Sequence, residues 1–191
     1  MKNKLFRIKK FILLTFISIL FCSNNSFSED FFFEGTEIQI LENGDKLKSD
    51  KGVQITTTND MIITADKFEY DKIKLELTVD GNVILKDNVN KTTIKTNKIK
   101  YFKNLEQIFT YDKTLIDIGE NILVESRDII FFKNKNQIKS NFKTEVKDRF
   151  GNTFFTQEFL FNLNNKVLKG KDVTIKDINN NEYFLKSFFA D

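Results

Sequence analysis

Asp66 and Glu69 stand three residues apart, close enough for two carboxylates to divide acid–base work. Asp177, Asn179 and Asn181 alternate like the oxygen ligands at the head of a calcium loop. Both signals fall short. No convergent acidic cluster surrounds Asp66 and Glu69, which read as a solvated strand edge. The oxygen-rich triplet lacks the later glycine and the closing bidentate glutamate, so it reads as an asparagine-rich turn. The chain has no histidine, and its one cysteine is Cys22. A Ser–His pair is therefore excluded, and no cysteine nucleophile or usual zinc site exists beyond residue 28. No Gly-rich phosphate loop is present. The reading is of a protein that is not an enzyme and takes no cofactor or metal.

What remains is apolar surface, above all phenylalanine, which occurs 22 times. The elements that position it follow a repeat. Each copy has an apolar residue, a spacer, a small residue, two spacers, then two large apolar residues flanking a spacer. The copies are Ile63-Thr64-Ala65-Asp66-Lys67-Phe68-Glu69-Tyr70, then those opening at Ile94, Val124 and Phe154, with a fifth starting at Leu185-Lys186-Ser187. Their starts are 31, 30, 30 and 31 residues apart. A fixed period of this size marks stacked supersecondary units that bury their apolar faces on one another.

The units are β in character. Leu75, Leu77, Val79, Val83 and Leu85 approach a period of two, as do Val173 and Ile175. Turn signals punctuate them: Asn43-Gly44-Asp45, Asp80-Gly81-Asn82, Phe150-Gly151-Asn152 and Asn179-Asn180-Asn181. A second segment repeats as well, closing at Asp87, Asp117, Asp148 and Asp177, where aspartate suits a turn after a strand. Residues 37–47 read as a hairpin ahead of the repeats. Within each copy the facing flips: Ile63 and Ala65 share one parity, Phe68 and Tyr70 the other. A bulge or corner at that step would bend every unit alike and stack the bends into two facing sheets with a trough between them. A short loop at each site would instead give a flatter meander.

The first 28 residues resemble an export signal. Lys2, Lys4, Arg7, Lys9 and Lys10 precede the apolar run 11–22, and Ser26 and Ser28 suit cleavage after residue 28. An uncleaved anchor or a lipid on Cys22 are the alternatives. The chain has 30 basic and 27 acidic residues; the segment holds five of the basic ones, leaving 25 against 27. The basic excess thus belongs to the leader, and no nucleic-acid partner is expected. Residues 29–191 read as one domain without disulfides.

Ala65-Asp66-Lys67-Phe68-Glu69-Tyr70-Asp71, followed by Val79-Asp80-Gly81-Asn82-Val83-Ile84-Leu85-Lys86-Asp87, resembles the repeat of the OstA-like lipopolysaccharide transport family, the family of LptA and of the LptD amino-terminal periplasmic domain. The later copies keep the apolar frame but lose Gly-Asn-Val. The resemblance implies an all-β, repeat-built β-jellyroll (β-taco) of two facing antiparallel sheets, about 30 residues per unit. It implies an apolar groove carrying the acyl chains of lipopolysaccharide through the periplasm for outer-membrane assembly. It also implies edge-to-edge strand pairing with other OstA-like domains. The barrel that follows this domain in LptD is not in the sequence, and the fifth copy breaks off at Asp191, which reads as a fragment; a stand-alone periplasmic member is the alternative. The residues expected to line the groove are Ile63, Ala65, Phe68, Val83, Leu85, Ile94, Ile99, Ile129, Phe131, Phe159, Phe161, Val173 and Ile175. A rival reading is a structural or adhesive β-solenoid at the cell surface with a closed core.

Overall fold

A computed structural model describes residues 31–119 and 121–190, so the leader-like segment lies outside the described residues. In chain order the strands are β1 (Phe31–Glu34), β2 (Gln39–Leu41), β3 (Lys46–Ser49), β4 (Val53–Thr57), β5 (Met61–Ala65), β6 (Lys67–Asp71), β7 (Glu76–Asp87), β8 (Thr92–Phe102), β9 (Gln107–Tyr111), β10 (Lys113–Ile118), β11 (Ile122–Arg127), β12 (Ile130–Phe132), β13 (Gln137–Ser140), β14 (Thr144–Asp148), β15 (Thr153–Thr156), β16 (Glu158–Asn162), β17 (Val167–Lys176) and β18 (Glu182–Ala190). Every pairing is antiparallel.

Most strands form bent pairs interrupted by one to four residues, while β7, β8, β17 and β18 run through the bend unbroken. The result is eleven bent strands in sequence order, each crossing between two walls. The first wall contains β1, β4, β5, β10, β11, β14 and β15, with residues 83–87 of β7, 92–96 of β8, 173–176 of β17 and 182–185 of β18. The second contains β2, β3, β6, β9, β12, β13 and β16, with the other halves of the long strands. This is an all-β jellyroll of two facing antiparallel sheets, and one repeat is one strand out and one strand back.

The parity step of each copy lies at the corner between the walls. Ala65 and Phe68 both point inward while Asp66 and Lys67 between them are exposed. In β7 the register shifts between Asp80 and Val83, where Gly81 and Asn82 have φ of 81° and 49°. A Cβ on Gly81 would meet the Asp66 carboxylate at 2.5 Å, so the corner excludes larger residues there. Other corners turn on Asp112, Asp128 and Asp172, also left-handed at φ 63°, 49° and 51°. Aspartate and asparagine tolerate this region better than other L-residues do.

The small residue of each copy sits beside the corner. Thr96, Ser126 and Thr156 belong to a column of hydroxyls, with Ser49, Thr110, Thr114, Ser140 and Thr144, that pair with one another and with backbone freed by the bends. Thr110 Oγ1 accepts from the Ile129 N–H at 2.9 Å and from the Thr114 hydroxyl at 2.8 Å. Ser126 and Thr144 share a bond of 2.7 Å. Among the described residues no buried side-chain N or O lacks a partner. Thr110→Val keeps the shape but orphans the buried Ile129 N–H and takes from the Thr114 hydroxyl its shortest acceptor, leaving it Thr96 Oγ1 and the Asp112 carbonyl. It is expected to cost about 1–3 kcal/mol, read as a lower midpoint in urea with unchanged strand content by circular dichroism.

The turns stack too. On the second wall the N–H of Lys72, Lys103, Lys133 and Leu163 donates to the carbonyl of Asp45, Leu75, Glu106 and Asn136, at 2.8–2.9 Å. Donors and acceptors both advance with the sequence repeat. Asp87, Asp148 and Asp177 close turns by accepting from backbone N–H groups two to four residues on. Asp117 does not: it lies inside β10, paired with Thr93 and Leu123, and the turn waits for Gly119. The copy is out of step by one, so Ile118 takes the inward rim position that Asp87 holds one unit earlier. Leu75 is likewise not on the strand; it ends a turn at φ 54°.

Candidate functional site

The inward faces of the two walls form one apolar interior along the stack. Of the thirteen residues expected there, Ile63, Ala65, Val83, Leu85, Ile94 and Val173 are buried on the first wall. Phe68, Ile99, Phe131, Phe159 and Phe161 are buried on the second, with Ile129 at a corner; Ile175 is half-exposed. Eleven of the thirteen are 0–2% exposed, as are Ile55, Leu77, Tyr101, Ile108 and Ile138, which were not on the expected roster. Their signal was available: β4, β7, β8, β9 and β13 alternate with period two, and only the parity bookkeeping across the corners hid them.

Side chains of both walls fill the middle of this interior. Phe31 and Phe33 on β1 reach across from the first wall. Phe31 meets Tyr70 and Tyr101 edge-on at 5.2 and 5.4 Å, and Phe33 stacks on Phe68 at 4.8 Å between ring centroids. Farther along, Phe154 of the first wall meets Phe188 of the second at 5.3 Å. Near β18 the inward side chains Tyr183 and Leu185 are exposed, so the apolar interior meets solvent there.

Opposite the corners, two rows of turns face each other as rims. Asn90 on the first rim donates to Asn136 on the second at 3.4 Å, and Asn90 is anchored by Asp87 at 2.7 Å. Large apolar side chains stand exposed on both rims, among them Ile73 and Leu105 on one and Val89 and Phe150 on the other. Recesses also exist outside the interior. One of about 580 Å³ lies on the outer face of the first wall, around Ile84, Leu115 and Leu123.

The acid–base and calcium candidates disperse. Asp66 takes the Asn82 amide at 2.8 Å at a corner, and Glu69 stands exposed on the outer face of the second wall. Asp177 accepts from the backbone of Asn179 and Asn181 and from the Asn181 amide, at 2.8–2.9 Å. The Asn181 amide leads in holding this carboxyl below its ordinary pKa, which is what a satisfied Asx turn produces. Among the described residues no group of three or more acidic residues is placed to hold a metal ion.

No protein-family model and no curated protein matches the chain. Among solved structures the fold matches that of LptH, the LptA homologous periplasmic component of the conserved lipopolysaccharide transport device from Pseudomonas aeruginosa, with a TM-score of 0.54 and 13% identity over 66% of this chain and 94% of that one. At this identity the likeness is one of fold.

Proposed function

We propose that this chain is a non-enzymatic periplasmic carrier of lipopolysaccharide, holding acyl chains between its two walls during outer-membrane assembly. The observation that carries the reading is the uninterrupted apolar interior, built on a fold shared with a component of a lipopolysaccharide transport device. Burying acyl chains gains roughly 0.8 kcal/mol per CH₂, so a lipid needs no dedicated polar residue to be held. In this reading residues 1–28 are a cleaved leader and residues 29–191 one OstA-like domain. The thirteen residues from Ile63 to Ile175 line the path. Like domains, or the amino-terminal domain of an outer-membrane barrel, join edge to edge: β18 is paired on one side only among the described residues, and exposes Phe184 and Phe189.

The filled middle of the interior favours a second reading, a structural or adhesive β-solenoid with a closed core. A photo-crosslinking residue at Phe131 or Phe159 separates the two in cells. Capture of lipopolysaccharide is the expected result; crosslinks to protein alone favour the closed core.

A further inference from the structure

The register aligns one row of side chains across the outer face of the second wall. Phe109 pairs with Ile130, Ile130 with Lys139, Lys139 with Leu160, Leu160 with Lys169, and Lys169 with Phe189. Six successive strands thus present Phe, Ile, Lys, Leu, Lys and Phe in a line, with no carboxylate in it. At roughly 4.8 Å per strand the row is about 24 Å long. Phe132, beside it on β12, and Lys135 and Lys171 widen it into a shallow recess of about 430 Å³ whose one carboxylate is Glu158.

The charges here are unlike those elsewhere on the surface. On the first wall Lys113 pairs with Glu125 at 2.7 Å, Lys147 with Glu145 at 2.9 Å and Lys176 with Glu182 at 2.8 Å, while Lys86 and Lys95 form no ion pair among the described residues but share their recess with the carboxylates of Asp117, Glu125 and Glu145. The near part of the second wall is balanced too, with Lys100 on Glu76 and Lys98 on Asp80. In the recess Glu158 is taken by Lys171 at 3.3 Å. Among the described residues no carboxylate pairs with Lys135, Lys139 or Lys169. Instead Lys135 lies over the Phe132 ring at 5.7 Å and Lys169 over Phe189 at 5.5 Å. Phe189 is 61% exposed. This basic patch stands against residues 29–191, whose 25 basic and 27 acidic side chains sum to −2.

We propose that this outer face rests on an anionic lipid bilayer. Lysines with long apolar stems interleaved with aromatic rings suit a headgroup layer, where the ring sits at the acyl boundary and the ammonium stays with the phosphates. A row this long, with its cations separated by two strands, spreads over several headgroups and does not converge on one small anion. The surface is separate from the interior and does not depend on what the interior carries.

The test is sedimentation of the full chain with vesicles of phosphatidylcholine alone or with about one third phosphatidylglycerol, at low salt. The basic leader is common to every variant, so the comparison isolates the face. Each lysine near an anionic surface contributes roughly fivefold in binding. K139E/K169E is expected to weaken binding to anionic vesicles by roughly 25-fold or more. K86E/K95E, the same charge change on the first wall's outer face, is expected to stay within about twofold. Added salt is expected to erase the difference. K139Q/K169Q serves should the reversal disturb folding, with a roughly 25-fold upper limit. Equal binding to both vesicle types, or equal losses in the two double variants, overturns the proposal.

Discussion

Bridging the rims with a short bismaleimide between Asn90→Cys and Asn136→Cys is expected to cut lipopolysaccharide uptake roughly a hundredfold, with the unbridged double variant behaving like the parent. The physical reason is the filled interior. Ile63, Leu85, Ile94 and Ile99 have no solvent contact, so acyl chains can occupy the middle of the interior only if the walls separate there, whereas the end near β18 is already open. The corners hold one side of the walls through backbone continuity and hydroxyl pairing. The rims hold the other through contacts as slight as the Asn90–Asn136 bond of 3.4 Å. That asymmetry places the hinge at the corners and the opening at the rims. A covalent bridge removes the open state, and apparent affinity falls in proportion to the competent fraction. A Cys22→Ser background leaves the two new thiols as the only ones. Uptake would be followed as co-migration of labelled lipopolysaccharide on a native gel. Undiminished uptake in the bridged protein means that lipid does not pass between these rims and overturns opening at the rims; loss of uptake in the unbridged protein as well would count against the proposed function itself.

Phe131→Ala is expected to destabilise the domain by about 3–5 kcal/mol. Phe131 is 1% exposed and lies in register between Ile108 and Ile138, so its ring is enclosed by neighbours on both adjoining strands. Removing it leaves an apolar void that a rigid sheet cannot collapse, and in a domain of this size the melting temperature should fall by roughly 10 °C. An acyl chain is the natural filler of such a void, so added lipopolysaccharide should restore part of the loss in the variant. Calorimetry with and without lipid reads both effects. A loss under about 1 kcal/mol would mean that the ring is not packed as described. A full loss with no recovery on adding lipid would support the closed core.

Much of this architecture was legible in the chain. The spacing of Ile63, Ile94, Val124, Phe154 and Leu185 measures one strand out and one back. The inverted parity between Ala65 and Phe68 marks the corner, because period-two alternation survives on each side of it. Asp117 misled because composition alone cannot distinguish a turn-closing aspartate from a solvent-facing one inside a strand. The interior was legible only in part. Parity gives the side on which Ile63 or Phe159 points, but not the separation of the walls, which depends on side chains meeting across them. Phe31 on Tyr101 joins residues 70 positions apart on opposite walls, and no local pattern announces it. The Lys139–Leu160–Lys169–Phe189 row was invisible for a related reason: its members become neighbours only through a register that corners and turns jointly set.

The stacked turns bear on how such a chain reaches its shape. Lys72 lands on Asp45, Lys103 on Leu75, Lys133 on Glu106 and Leu163 on Asn136, so each lap is templated by the lap just before it. Nothing in that scheme waits for distant sequence. A polypeptide delivered from its amino terminus can lay down course upon course as it arrives, like masonry, with the growing face always ready for the next row.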